Sequence, residues 1–322
     1  MSRLSVINLA ELGPMEVIET ISTEDILATR MARFKELWAL YDPPAAAQYD
    51  VENLEFDPIK MNQECSTYFE LMMRNRVNQA ARDVTLAFGY GNNLEGIASR
   101  YPGGVPRLPG ESDDRYRRRV WLSPNVLSPH GTAEHYVFWA LTADPTLHDA
   151  SAATAKGTGK VFVTIMPERG SVVTMAWART HDKTTGALLQ SEARPIINAA
   201  PTLQQIVDVR AYILAEARRG LTDEIVVYGP KVAHASYKAR IWLFPNVSAE
   251  LAFSKIEQAV AALLEKQRWL GYDHSRMALD AALAQEGVHH AIVDEPFKDL
   301  SVDDRGFVNV DLVRLMLAGY AE

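Results

Sequence analysis

The stretch Gly157-Thr158-Gly159-Lys160 is the first place where residue types and spacing could do chemistry, because glycine-rich loops ending in lysine can cradle a phosphate. That motif needs a glycine where this chain has Thr154, and Ser or Thr where it has Val161. The residues that follow favour a strand, so no helix N-terminus would meet the phosphate. The stretch reads as a loop leading into a strand.

The histidines offer metal chemistry in outline only. His130, Glu134 and His135 resemble metalloprotease ligands, yet they satisfy neither His-Glu-x-x-His nor His-x-x-Glu-His. His289-His290 falls in a predicted strand, where neighbouring side chains point to opposite faces and would not chelate together. Cys65 is the only cysteine, which rules out an internal disulfide and a Cys-based zinc site. It is expected as a small, at least half-buried group on a helix. Arg115, Arg117, Arg118 and Arg119 form the densest basic run. A helix spreads them around its circumference and Glu111, Asp113 and Asp114 precede them, so they read as a solvated face or as salt bridges to a neighbouring subunit. No carboxylate pair stands out as acid and base. No catalytic residue, cofactor or metal is assigned.

The net charge of −8 argues against general affinity for nucleic acid or an anionic membrane. Residues 1–85 carry 8 Lys or Arg against 14 Asp or Glu, which is −6 of that total. Met1–Asn8 has no signal-peptide pattern, no apolar run reaches ~18 residues, and one thiol suits a reducing cytoplasm.

The elements that would position these residues fall into two styles. Near the N-terminus, Thr23–Tyr41 has helical apolar spacing, with Ser22 or Thr23 as cap and Pro43-Pro44 as stop. Asp57-Pro58 reads as N-cap and first-turn proline of a longer helix running to about Leu86. Its apolar positions, among them Tyr68, Phe69, Met72 and Val77, cover more than one narrow face. A two-helix hairpin would leave the outer ones bare. Phe34, Leu37, Trp38, Tyr68, Phe69, Met72 and Val77 are therefore the expected partner interface. Further along, helices are expected after Ser112 and from Thr132 to Leu141, then strands alternating with helices to the C-terminus. The segment 171–193 is expected to be a protruding hairpin. Val173, Met175 and Trp177 on one strand face make it a second candidate interface.

The predicted fold class is α+β, an extended N-terminal helical arm followed by small mixed α/β modules. The expected divisions are 1–88 (arm), 89–152 (connector), 153–234 (first α/β module with the hairpin) and 235–322 (second module).

Four blocks carry a family resemblance. Asn75–Tyr101 contains Leu86-Ala87 and then Gly91-Asn92-Asn93-Leu94-Glu95-Gly96-Ile97-Ala98. Leu108-Pro109-Gly110-Glu111-Ser112-Asp113 leads to Arg118-Arg119-Val120. Ser128-Pro129-His130-Gly131 leads through Tyr136 to Ala140-Leu141-Thr142-Ala143-Asp144-Pro145. The fourth is Arg219-Gly220-Leu221-Thr222-Asp223 followed by a strand. In this order they resemble the baseplate protein J family of contractile-tailed bacteriophages and phage-tail-like bacteriocins. Gly220 stands where that family usually has proline, and the 171–193 segment is a departure. The resemblance implies a structural wedge subunit assembling around a central hub and linked to sheath contraction. Implied partners are a second copy of itself and a second wedge protein, with hub, spike and sheath-initiating proteins as further candidates. The rival reading is a cytosolic enzyme or ligand-binding protein with an oligomerising helical arm, which requires a pocket of converging polar groups.

Overall fold

The computed structural model describes residues 18–50, 56–102, 104–127, 131–154, 158–167, 175–195, 199–215, 218, 220 and 223–321. Internal packing divides the chain after Pro106, giving units Met1–Pro106 and Arg107–Glu322. The class is α+β with a helical N-terminal region.

In the first unit, α1 (Thr23–Tyr41) is capped by Ser22, whose hydroxyl accepts from the Asp25 amide at 3.2 Å. A short α2 (Pro43–Gln48) follows. The 26-residue α3 (Pro58–Asp83) has Asp57 as N-cap, accepting from the Lys60 amide at 2.9 Å, and Pro58 in the first turn, as the sequence predicts. The Tyr49 hydroxyl also donates to Asp57 and holds its carboxyl below the usual range. Phe34, Trp38 and Tyr49 form an aromatic cluster that ties α1 to the segment after α2, with centroids 5.4 Å (Phe34–Trp38) and 5.5 Å (Trp38–Tyr49) apart. The region read as connector holds a further helix, α4 (Gly91–Ala98), which buries Leu94, Ile97 and Ala98.

The second unit opens with α5 (Asp113–Leu122), a 3-10 turn (Ser123–Leu127) and α6 (Ala133–Ala143). A three-stranded sheet is built from β1 (Leu147–Thr154), antiparallel to β2 (Lys160–Pro167), and β5 (Glu224–Tyr228), parallel to β2. α7 (Leu203–Ile213) carries a reciprocal capping box between Thr202 and Gln205. It packs beside α6 and β5.

A five-stranded sheet has the order β3-β4-β8-β6-β7, from β3 (Trp177–His181), β4 (Leu188–Ala193), β6 (Lys231–Leu243), β7 (Val288–Glu295) and β8 (Gly306–Tyr320). α8 (Ala249–Lys266) and α9 (Arg276–Leu283) cover one face of it. Phe253, Ile256, Val260 and Leu264 recur at helical spacing on α8 and meet the alternating Tyr237, Ala239, Ile241 and Leu243 of β6.

Three expectations change here. The hairpin at 177–193 does not protrude, because β4 pairs with β8 from Gln190↔Met316 to Ala193↔Val313 and makes the hairpin the edge of the larger sheet. The strand β1 lies in the expected connector, and it is a strand because β2 pairs with it and α6 packs on it. The expected boundaries at 152/153 and 234/235 fall inside β1 and β6.

Candidate functional site

The residues that looked like chemistry are occupied structurally. Arg115 and Arg119 are buried, not solvated or left for a neighbouring subunit. Arg119 reaches Glu111 through Nε and Nη2, both at 2.8 Å, and Arg115 Nη1 does so at 2.5 Å. Arg115 also donates to the carbonyls of Leu147, Leu141 and Asp144, which ties α5 to the end of α6 and the start of β1. Arg117 pairs with Asp114 and Arg118 with Asp149. Burial raises the Glu111 carboxyl, but the Arg119 hydrogen bonds, the Leu108 amide and the two guanidinium charges outweigh it and hold it below the usual range. The signal was present in the sequence: Glu111, Arg115 and Arg119 are four apart and share one side of a helical path.

His135 faces two backbone carbonyls, Arg218 O at 2.8 Å from Nε2 and Asn125 O at 3.3 Å from Nδ1. His130 and Gly157 lie outside the described residues. Lys160 begins β2, as the loop-to-strand reading expects, and pairs with Glu224 at 3.3 Å. His289 and His290 are both exposed with their Nδ1 atoms 2.7 Å apart, against the opposite-face expectation. A register shift opposite Trp242/Leu243 breaks the strand alternation at His289 and brings the rings together. Among the described residues, no group of three or more His, Cys, Asp or Glu is placed to hold a metal ion, and no helix is long and apolar enough to cross a membrane.

A lock that no local motif announces joins two of the resemblance blocks. The Tyr136 hydroxyl donates to Asp223 and accepts from the Gly220 amide at 3.1 Å. Burial and the Asp223 carboxylate push the Tyr136 phenol up to about 12. Gly131, at φ +58, lies so close that a Cβ would stand 2.8 Å from the Tyr136 hydroxyl. The Gly220 departure from the family's proline thus has a physical consequence: a proline has no amide proton for Tyr136.

The expected interface residues divide. Phe34 and Trp38 are half-buried in the aromatic cluster with Tyr49. Leu37 is 42% exposed, Tyr68 57%, Phe69 65%, Met72 52% and Val77 66%, and they are joined by Met61, Met73 and Val84. Cys65 belongs to this open face and is exposed, not buried. Met175 and Trp177 are partly buried against the chain's own core, because the hairpin is part of the sheet; Val173 lies outside the described residues.

α3 turns its polar side inward. Its buried residues are Thr67 and Asn78. Arg30 of α1 donates to Glu70 at 2.8 Å and to Gln63 at 3.4 Å. Arg74 reaches Glu19 at 3.0 Å, and Asn78 exchanges two hydrogen bonds with the Glu19 backbone at 2.9 and 3.1 Å. Gln63, Thr67, Glu70, Arg74 and Asn78 thus face α1 and the segment before it. At ~100° per residue, Met61, Tyr68 and Met72 lie on the opposite side, while Phe69, Met73 and Val77 run along the flank of the polar seam, next to Glu70 and Arg74.

Residues 55–109, which include all of α3 and α4, match the Baseplate J-like N-terminal domain. Over 310 residues the chain is also 26% identical to Baseplate protein J of Escherichia phage P2, an alignment covering 92% of this chain and 93% of that protein. The resemblance to the baseplate protein J family therefore extends along almost the whole chain. The apolar face of α3 lies inside the matched J-like domain.

Proposed function

We propose that this chain is a structural wedge subunit of a contractile-tail baseplate, in which the apolar face of α3 joins a helical bundle with a second copy and a second wedge protein. A structural place in the tail baseplate of a phage virion follows from the likeness to Baseplate protein J. Assembly around the hub and movement with sheath contraction are the finer parts of our reading.

One observation supports the bundle most directly. α3 buries polar side chains against α1 and the segment before it, and with its C-cap residue Val84 it exposes seven large apolar ones: Met61, Tyr68, Phe69, Met72, Met73, Val77 and Val84. Each is half exposed or more; at ~150–200 Å² per large side chain, the open apolar area is roughly 700 Å². That is comparable with the largest apolar patch of a typical monomer, ~300–600 Å², and approaches the ~800 Å² per partner of a standard interface. A surface-only role would favour polar residues there.

The test is co-expression with the candidate wedge partner from the same tail gene cluster, comparing wild type with Phe69→Ser/Met73→Ser/Val77→Ser. Phe69, Met73 and Val77 lie beside the Arg30–Glu70 and Glu19–Asn78 contacts, so Met61→Ser/Tyr68→Ser/Met72→Ser, on the side of α3 away from them, is compared as well. The expected result is unchanged helical content with loss of both self-association and co-purification. Undiminished complex formation by the folded variant overturns the proposal.

A further inference from the structure

Gln267–His274, between α8 and α9, joins the two sheets of the second unit. Towards the three-stranded sheet, His148 of β1 donates through Nε2 to the Arg268 carbonyl at 2.9 Å and stacks on Trp269 at 4.7 Å. The Leu270 amide donates to Asp149 at 2.9 Å, and Arg118 holds the same carboxylate while lying over the Trp269 ring at 4.8 Å. The Leu270 side chain enters a small cluster with Met166 of β2, Ala199 and Phe307 of β8. Towards the five-stranded sheet, the Gly271 amide donates to Gly306 O at 2.8 Å, and His274 and Leu300 exchange two backbone bonds at 2.9 Å. The Tyr237 hydroxyl lies 2.6 Å from His274 Nδ1 and donates to Gln267 Oε1 at 3.3 Å.

His274 is buried with its Nδ1 against the Tyr237 hydroxyl, which also donates to Gln267 Oε1. A charge on the ring would have to be held away from water beside the neutral Tyr237 and Gln267 side chains. Facing groups are Tyr237 from β6, with Gln267, Tyr272 and Asp273 from the segment itself; the Gln267 backbone and Asp273, whose carboxylate also accepts from the Val302 amide at 2.9 Å, favour the cation, but burial outweighs them. At the other end, His148 is flanked by Asp149 and by the guanidiniums of Arg118 and Arg268.

We propose that Gln267–His274 is an acid-releasable clasp between the two sheets, closed while His274 and His148 are neutral and opened when they are protonated. Burial holds both imidazoles below their ordinary value, His274 at about 4. The sign follows: a depressed histidine contributes stability above its ordinary value of 6.5, and that contribution fades as pH falls towards 4. If opening exposes His274, its equilibrium constant at pH 5 rises by about 30-fold over that at pH 7.5.

The experiment is hydrogen exchange on the full chain at pH 7.5 and 5.0, each amide corrected for its intrinsic rate. Protection of Leu270, Gly271 and His274 should fall by about 30-fold at pH 5.0. Ile241 and Leu315 in the central strands should keep theirs, and His148→Phe/His274→Phe should lose the pH-dependent part. Equal loss in the central strands, or an unchanged pH response in the double variant, overturns the clasp. Should that variant fail to fold, titration of the wild-type His274 ring by NMR decides: a midpoint at 6 or above overturns the proposal, and one near 4 supports it.

Discussion

Replacing Glu111 by alanine should be among the most destabilising single changes in the second unit. The carboxylate accepts from Arg115 Nη1 at 2.5 Å, from Arg119 Nε and Nη2 at 2.8 Å, and from the Leu108 amide at 2.9 Å. Its side chain is fully buried and that of Arg119 is 1% exposed. Truncation therefore removes a carboxylate that neutralises two guanidinium groups held away from water. Removing one partner of a buried pair costs ~3–5 kcal/mol, a large part of the 5–15 kcal/mol that holds a typical domain together. In a unit of this size that lowers the thermal midpoint by roughly 10 °C. Glu111→Gln keeps an acceptor but loses the charge, and should cost about 2 kcal/mol. The assay is urea unfolding at pH 7 with Glu111→Ala, Arg119→Met and the double variant. The double should be less destabilised than the sum, because the apolar side chain removes one of the two guanidinium charges that Glu111 neutralises. A Glu111→Ala cost below 1 kcal/mol, or strict additivity, refutes the assignment. The folded-state carboxyl is held below its usual 4.5, so this contribution is present at neutral pH and is lost as pH falls below that value.

Other tests probe other joints. Tyr136→Phe removes the bonds to Asp223 and from Gly220 and should cost about 1–3 kcal/mol by chemical denaturation. Gly220→Pro, although it restores the family's usual residue, should destabilise this chain, because the amide is used and a Cβ there would stand 2.6 Å from Asp223 Oδ2. Arg179 grips Glu257 of α8 with bonds of 3.0 and 2.7 Å, and Ser191 donates to the same carboxylate at 2.6 Å. Glu257→Leu should therefore speed hydrogen exchange in β3 and β4 while leaving β6 and β8 protected.

The sequence made the strongest local signals readable and hid those that depend on distant pairing. Ser22 and Asp57-Pro58 mark the starts of α1 and α3 because capping is chemistry within three residues. β1 could not be read, since Leu147-His148-Asp149-Ala150-Ser151 lacks a run of strand formers and is extended only because β2 lies beside it. The hairpin was legible as a hairpin, but its place beside β8 was not, since Glu192 and Arg314 are far apart in sequence and meet at 2.8 Å only in the fold. Tyr136 and Asp223 are hidden in the same way. At the candidate interface, helical periodicity named the apolar residues, but it could not show that Phe34 and Trp38 are already engaged with Tyr49.

The two units use polarity in opposite senses, and that contrast carries the functional argument further than any single residue. The second unit buries charged groups with their partners, as Glu111–Arg119 and Glu257–Arg179 show, and fills its larger core with apolar side chains at strand and helix spacing. The apolar positions between its larger sheet and α8 and α9 are satisfied within the chain. In the first unit, α3 meets α1 through Gln63 and Glu70 and the segment before α1 through Arg74 and Asn78, and its stripe of Met61, Tyr68, Met72 and Phe69 stays in water. Apolar burial near 25 cal/mol per Å² would make a stripe of roughly 700 Å² the largest unused source of stabilisation in the molecule. Association recovers only part of that, because ordering and desolvation oppose it. Polar contacts position α3 in the lone chain, and an apolar partner completes it, so the stability of the first unit should rise on assembly while that of the second stays nearly constant.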